Sequence, residues 1–248
     1  MGRRAQYRDE LAGLEAGRWP AYLAEHSGLP GPRANIELAQ AAADAGDAAI
    51  FDRLIASGEE YPVFCGVIGL GRLLAEKPGE AEKPGQAEEP GQAEEPGAER
   101  LRGHARDGRW RVREAVAMAL QRLGDADRGR LHALVADWSR ADDPLVLRAA
   151  VAAICEPRLL DTPESVTAAL DTCAAATDWL AGAPAGRRRD DDVRTLRKAL
   201  GYGWSVAVAA DPATGLSRFQ ALSRSPDADV AWIVRENGKK ARLARLRG

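Results

Sequence analysis

The residues closest to a catalytic arrangement are Gly203-Trp204-Ser205-Val206-Ala207, one residue short of the G-x-S-x-G turn that exposes an activated serine. That turn needs a strand before it, a helix after it and, in α/β-hydrolases, a histidine later in the chain. All three histidines, His26, His104 and His132, precede Ser205, and the segment lies inside a helical pattern. It is therefore read as helix, not as a nucleophile elbow. Cys65, Cys155 and Cys173 are odd in number, far apart and set among apolar residues, and no C-x-x-C or H-x-x-x-H occurs. Such cysteines act as small hydrophobes in a reducing compartment, and they give zinc nothing to bind. Gly66, Gly69 and Gly71 follow no strand and are ordered G-x-x-G-x-G, so they do not form a dinucleotide loop. They are predicted to let helices pack closely. The sequence thus offers no catalytic set, cofactor or metal site, and the expectation leans away from an enzyme.

Charge provides a different kind of candidate. Arg235, Lys239, Lys240, Arg242, Arg245 and Arg247 face a single acid, Glu236, in the last stretch of the chain. If that stretch is helical, Arg235, Lys239 and Arg242 share a face by i, i+4, i+7 spacing. Arg235, Lys239, Lys240, Arg242 and Arg245 are the candidate binding residues, with phosphate as the chemistry they would meet. The competing reading is a solvated final helix whose cations favour its own C-terminal dipole end. Residues 100–248 carry 26 Arg and Lys against 19 Asp and Glu, so that part is +7 within a chain of net charge -2. Trp110 and Trp232, near the starts of equivalent helices, are expected to pack on the preceding helix. Trp138, Trp179 and Trp204 fall in apolar stripes and are expected in the core.

The elements that would hold these residues follow from a repeated frame, D-x-x-x-x-[VL]-R. Asp107 with Arg113, Asp142 with Arg148, Asp191 with Arg197 and Asp229 with Arg235 fill it. Trp110, Arg113 and Glu114 recur in register as Trp232, Arg235 and Glu236. A period of tens of residues marks stacked helical units. In 108–123, Val112, Ala115, Val116, Ala119, Leu120 and Leu123 form one apolar stripe at i, i+3, i+4, i+7, i+8 and i+11, and Leu147, Ala150, Val151 and Ile154 repeat it in 142–154. Five helix pairs are predicted: 47–57 with 60–74, 98–106 with 108–123, 127–140 with 142–154, 163–181 with 191–209, and 212–223 with 227–246. Residues 1–46 would cap the open edge of the stack. Asn237-Gly238 either ends the last helix early or costs it about 1 kcal/mol.

Composition agrees with an all-α chain. Aromatics make up 5% of the 248 residues and alanine is abundant, which suits helices lying side by side better than a β-sandwich. Residues 75–98 are four tandem hexapeptides, AEKPGE, AEKPGQ, AEEPGQ and AEEPGA. Recurrent Pro-Gly opposes a helix, and alanine is the largest apolar side chain present, so a disordered acidic insert is predicted. The charged start MGRRAQYRDE lacks an apolar signal region, and no run approaches the roughly 20 apolar residues that cross a bilayer. A cytoplasmic chain is the expectation.

The aspartates, the [VL]-R dipeptides and the following Ala115, Ala150 and Ala199 resemble the HEAT repeat, clearly over about 100–248 and loosely over 47–74. The resemblance implies an α-α superhelix of the armadillo-like kind, with Asp107, Arg113, Asp142, Arg148, Asp191, Arg197, Asp229 and Arg235 as a hydrogen-bonded ladder between units. It implies an interaction scaffold with a protein partner. The alternative is a DNA-binding protein similar to the HEAT-like alkylpurine DNA glycosylases, motivated by the basic half and the tryptophans. That family's catalytic Asp and Trp find no counterpart here beyond the dipeptide Asp178-Trp179.

Overall fold

The computed structural model describes residues 2–76 and 96–246, and most of the hexapeptide insert lies outside them. The described residues form fourteen α-helices and no strand. Two compact units divide the chain, residues 1–126 and 127–248.

The first unit contains α1 Arg3–Ala12, α2 Trp19–Glu25, α3 Ile36–Ala45, α4 Ala48–Ala56, α5 Glu60–Glu76, α6 Pro96–Ala105 and α7 Trp110–Ala126. Helix α4 packs on α5 and α6 on α7, while α5 and α7 lie directly against each other and α3 covers α5. The stripe read from α7 is buried throughout. Close approach of α5 depends on its glycines. A Cβ on Gly69 would lie 2.4 Å from the nearest carbon of the Phe51 ring, and one on Gly71 would lie 2.5 Å from the Ala119 Cα. The last Pro-Gly of the hexapeptide run is helical, because Pro96 sits at the first position of α6, where its missing N–H costs nothing.

The second unit contains α8 Arg128–Trp138, α9 Pro144–Ile154, α10 Pro163–Gly182, α11 Asp191–Ala210, α12 Pro212–Leu222, α13 Ala228–Gly238 and α14 Ala241–Ala244. The pairs are α8 with α9, α10 with α11 and α12 with α13, and the second members follow one another as α9, α11 and α13. Repeated helix-pair packing is thus the architecture within each unit. Side-chain oxygens cap the helix starts: Asp127 accepts from Arg130 N–H at 3.0 Å, Asp143 from Leu145 at 2.9 Å, Asp211 from Ala213 at 3.0 Å and Asp227 from Asp229 at 2.9 Å. Each such cap contributes about 1 kcal/mol.

The helix expected over 227–246 is broken. Helix α13 stops at Gly238, and a short α14 follows after Lys240. Asn237 explains the break's neighbourhood. Its fully buried amide accepts from Ser205 N–H at 2.8 Å and donates to Leu200 C=O and Ile233 C=O, each at 2.8 Å. It therefore bridges two groups of α11 five residues apart, one residue beyond the helix's own bonding step. An alanine, the residue the repeat pattern leads one to expect, could make none of these bonds.

Candidate functional site

Helices α8 and α10 leave an open groove between them, with a volume of about 590 Å³. Val135, Ala136, Ala168 and Ala175 give it an apolar floor, and Thr167 and Thr172 add methyl groups. Its rim is charged in two ways: Arg140 and His132 stand on the α8 side, Glu164 and Asp171 on the α10 side. Asp171 is held by Arg218 of α12 at 2.5 Å. Pro163 at the first position and the Thr162 cap set where α10 begins, which places Glu164 in its first turn near the positive dipole end.

His132, which lines this groove, places its Nε2 3.0 Å from Ser165 Oγ. Burial, and then the charge of Arg128, hold His132 below the ordinary imidazole range. Ser165 is fully buried, and its Oγ also accepts the Thr162 hydroxyl at 3.1 Å. A serine closed off in this way cannot meet a substrate, so the pair serves the start of α10. Ser205, the other serine of interest, is likewise buried inside α11, and its hydroxyl donates to Tyr202 C=O. Among the described residues no group of three or more His, Cys, Asp or Glu side chains could hold a metal ion. No helix among them is long and apolar enough to cross a membrane.

The C-terminal cations are arranged by the break at Gly238. Lys239 is the C-cap of α13 and pairs with Glu236 at 2.5 Å. Arg242 belongs to α14, so the shared helical face of Arg235, Lys239 and Arg242 does not form. Arg242 instead lies over the Tyr202 ring, 4.8 Å from its centroid, and donates to the Tyr202 hydroxyl at 2.8 Å. Lys240 approaches the same ring at 5.8 Å. Tyr202 is 45% exposed, and the sequence reading passed over it. Arg235 and Arg245 are exposed and make no close ion pair among the described residues.

Of the repeat-frame residues, Arg197 and Asp229 meet between α11 and α13 at 2.6 Å, and Arg188 joins Asp229 at 3.0 Å. Asp107 is instead held by Arg109 at 2.6 Å, and Arg113 donates to Asp107 C=O and Gly108 C=O at 2.6 and 3.0 Å. Asp142 accepts the Trp179 indole N–H at 2.7 Å, and Arg148 is buried. The Asp191 carboxylate is fully exposed, 3.7 Å from Arg194.

The tryptophans divide differently from the expectation. Trp138 and Trp204 are buried, and Trp179 reaches Asp142 from a half-buried position. Trp232 lies under Arg197, 4.7 Å from the guanidinium, and meets Gly201. Trp110 is 53% exposed, with Arg111 over its ring at 4.5 Å.

No family model matches this chain, and no curated protein does. A crystal structure of an engineered protein aligns with the whole chain and 97% of its own, at 18% identity and a TM-score of 0.37. A likeness of that degree leaves the fold to be argued from the chain's own helices, which define an all-α, helix-pair protein.

Proposed function

We propose that the protein is a non-enzymatic, HEAT-like helical scaffold in the cytoplasm whose α8/α10 groove receives a helix of a protein partner. The observation that supports this most is the groove itself: an apolar floor with the cation Arg140 on one rim and the carboxylates Glu164 and Asp171 along the other. An amphipathic helix fits that pattern when its apolar stripe faces the floor, its acids face Arg140 and its bases face Glu164 and Asp171. A photo-cross-linking residue placed at Ala136 or Thr167 should capture one and the same protein from both positions. Arg53, exposed on α4, is the control position. Loss of that adduct on Ala168→Arg would support the reading. No adduct above control, with the fold intact by circular dichroism, would overturn it.

A second reading, contact with nucleic-acid phosphates, is favoured by Lys240 and Arg242 gathered on exposed Tyr202, and Arg235 and Arg245 are exposed as well. Binding of a fluorescent DNA duplex should then fall about a hundredfold between 50 and 200 mM salt for about four phosphate contacts. Neutralising Lys239, Lys240, Arg242 and Arg245 should remove it. Absence of binding at low salt would eliminate this reading, and failure to release methylated purines would eliminate its glycosylase form.

A further inference from the structure

A second cavity, of about 390 Å³, lies in the first unit, and it combines a rigid wall with an underused guanidinium. One wall is the loop between α2 and α3, including Ser27, Leu29 and Pro30; another is the start of α5 with Glu59 and Glu60; Arg111 of α7 lines a third side, and the cavity is open to solvent. The loop is fixed by its own bonds. Asn35 N–H donates to Ser27 C=O at 2.8 Å, Leu29 N–H to Ser27 Oγ at 3.1 Å, and Gly28 takes φ +75°, which a side chain would strain.

Arg111 is 15% exposed along its side chain, yet its bonds are few and long. Nη1 donates to Glu60 Oε2 at 3.2 Å, Nη2 reaches Gly31 C=O only at 3.5 Å, and Nε is buried without a partner among the described residues. A guanidinium carries five donors in a planar fork, so most of this one is unspent. Ser27 is also buried; its oxygen accepts from Leu29 N–H, and its own proton meets no acceptor among the described residues. Buried donors that lack partners and border a cavity point to an acceptor supplied from outside.

We infer that this cavity binds a small zwitterion of the α-amino-acid type, its carboxylate taking the free edge of Arg111 and the Ser27 hydroxyl, its ammonium group meeting Glu59 and Glu60. The charge balance selects this class. Arg111 against Glu59 and Glu60 leaves the walls net negative, so a plain carboxylate would be repelled by both acids. A plain amine would compete with Arg111 for Glu60 and leave the guanidinium unspent. A zwitterion brings both charges and adds no net charge. The cavity lies at the small end of the ligand-pocket range, and Leu29 and Pro30 offer an apolar patch to a compact side chain.

The Arg111 guanidinium lies 4.5 Å from the Trp110 ring centroid, which makes Trp110 a built-in reporter. The test is to titrate the standard amino acids one by one, with acetate and methylamine as half-ligands, reading thermal stability and tryptophan emission together. At least one amino acid should raise the melting temperature saturably and shift the emission, while acetate and methylamine at the same concentration do neither. Arg111→Gln should weaken binding by about tenfold or more. Glu59→Gln, an exposed change that leaves packing alone, should weaken it as well, and it decides the matter if Arg111→Gln does not fold. Trp110→Phe should keep the thermal shift and lose the emission change. No saturable response to any amino acid, equal binding of acetate, or unchanged affinity in Glu59→Gln would each overturn the inference.

Discussion

Replacing Gly71 by alanine sets two effects against each other, and the structure says which one prevails. Gly71 lies inside α5, and in an open helix Gly→Ala stabilises by about 1 kcal/mol through backbone entropy. Here the new Cβ would stand 2.3 Å from Ala119 O, 2.5 Å from its Cα and 2.7 Å from its carbonyl carbon. All three are backbone atoms of α7, so no side chain can rotate away. Contact at an ordinary carbon–carbon distance of about 3.5 Å requires α5 and α7 to part by about 1 Å. That separation loosens the broadest helix–helix contact of the first unit, including the buried stripe of α7. Overpacking of this kind costs about 1–3 kcal/mol directly, and the lost dispersion contacts add to it, against a gain of only about 1 kcal/mol. With about 1 kcal/mol of lost dispersion, the net expectation is a loss of about 1–3 kcal/mol. Gly103 is the matched control: it lies in α6, a Cβ there would meet nothing within 4 Å, and Gly103→Ala should stabilise by about 0.5–1 kcal/mol. Urea unfolding followed by helical circular dichroism separates the two. A Gly71→Ala protein as stable as the parent would refute the argument from close approach.

Three further outcomes are expected. Asn237→Ala should lose about 2–4 kcal/mol in urea unfolding, because it strands the Ser205 N–H and Leu200 C=O contacts in the core; Asn237→Asp should lose more, having no N–H to donate and a charge to bury. Equal stability of all three chains would show that α11 closes its own ladder. Asp229→Ala should cost about 1.5–3 kcal/mol, since it leaves Arg197 without its largely buried carboxylate and Arg188 with Asp227 alone, and a loss under about 0.5 kcal/mol would count against the Arg197–Asp229 pair's structural role. Stability should also fall with pH through the histidine range. Burial comes first in holding both His104 and His132 below the usual imidazole value; Arg100 and Arg109 act the same way on His104, against Asp107, and Arg128 does so on His132. The unfolded chain therefore takes up protons near about pH 6.5 that the folded chain resists, so this contribution is present above that pH and is lost as pH drops toward the folded-state value. Unfolding measured at about pH 7.5 and about pH 5.5 should show a slope that the double change His104→Gln, His132→Gln flattens; an unchanged slope would remove the histidines as its source.

Much of the helical layout was legible in the residues because the signals are local. The α7 stripe from Val112 to Leu123 is buried as its spacing predicts. Gly66, Gly69 and Gly71 mark a close approach of α5 to its neighbours, as their order suggested once a phosphate loop was set aside. Where aspartates cluster, neighbouring carboxylates take different roles. Asp143 and Asp227 cap α9 and α13, while Asp142 and Asp229 turn to Trp179 and to Arg188 and Arg197. Sequence spacing cannot tell which of two nearby carboxylates faces the free N–H groups. Trp110 was expected to pack on the preceding helix and stands half in solvent, two residues before the buried stripe of α7 begins. The groove was invisible in the sequence because Leu131, Leu134 and Val135 of α8, at i, i+3 and i+4, read as one ordinary apolar stripe, and a stripe does not say which part of it a neighbouring helix leaves open.

The sequence by itself determined that the chain is helical, where most helices begin, and which small residues had to lie at contacts, since propensity, capping and periodicity act within a few residues. Tertiary structure decided everything that depends on partners distant in the chain. Asn237 acquires its meaning from Leu200, 37 residues earlier, and Arg111 acquires its unspent donors from a loop 80 residues away. A buried polar group is defined by what it meets across the fold, and no local pattern carries that information.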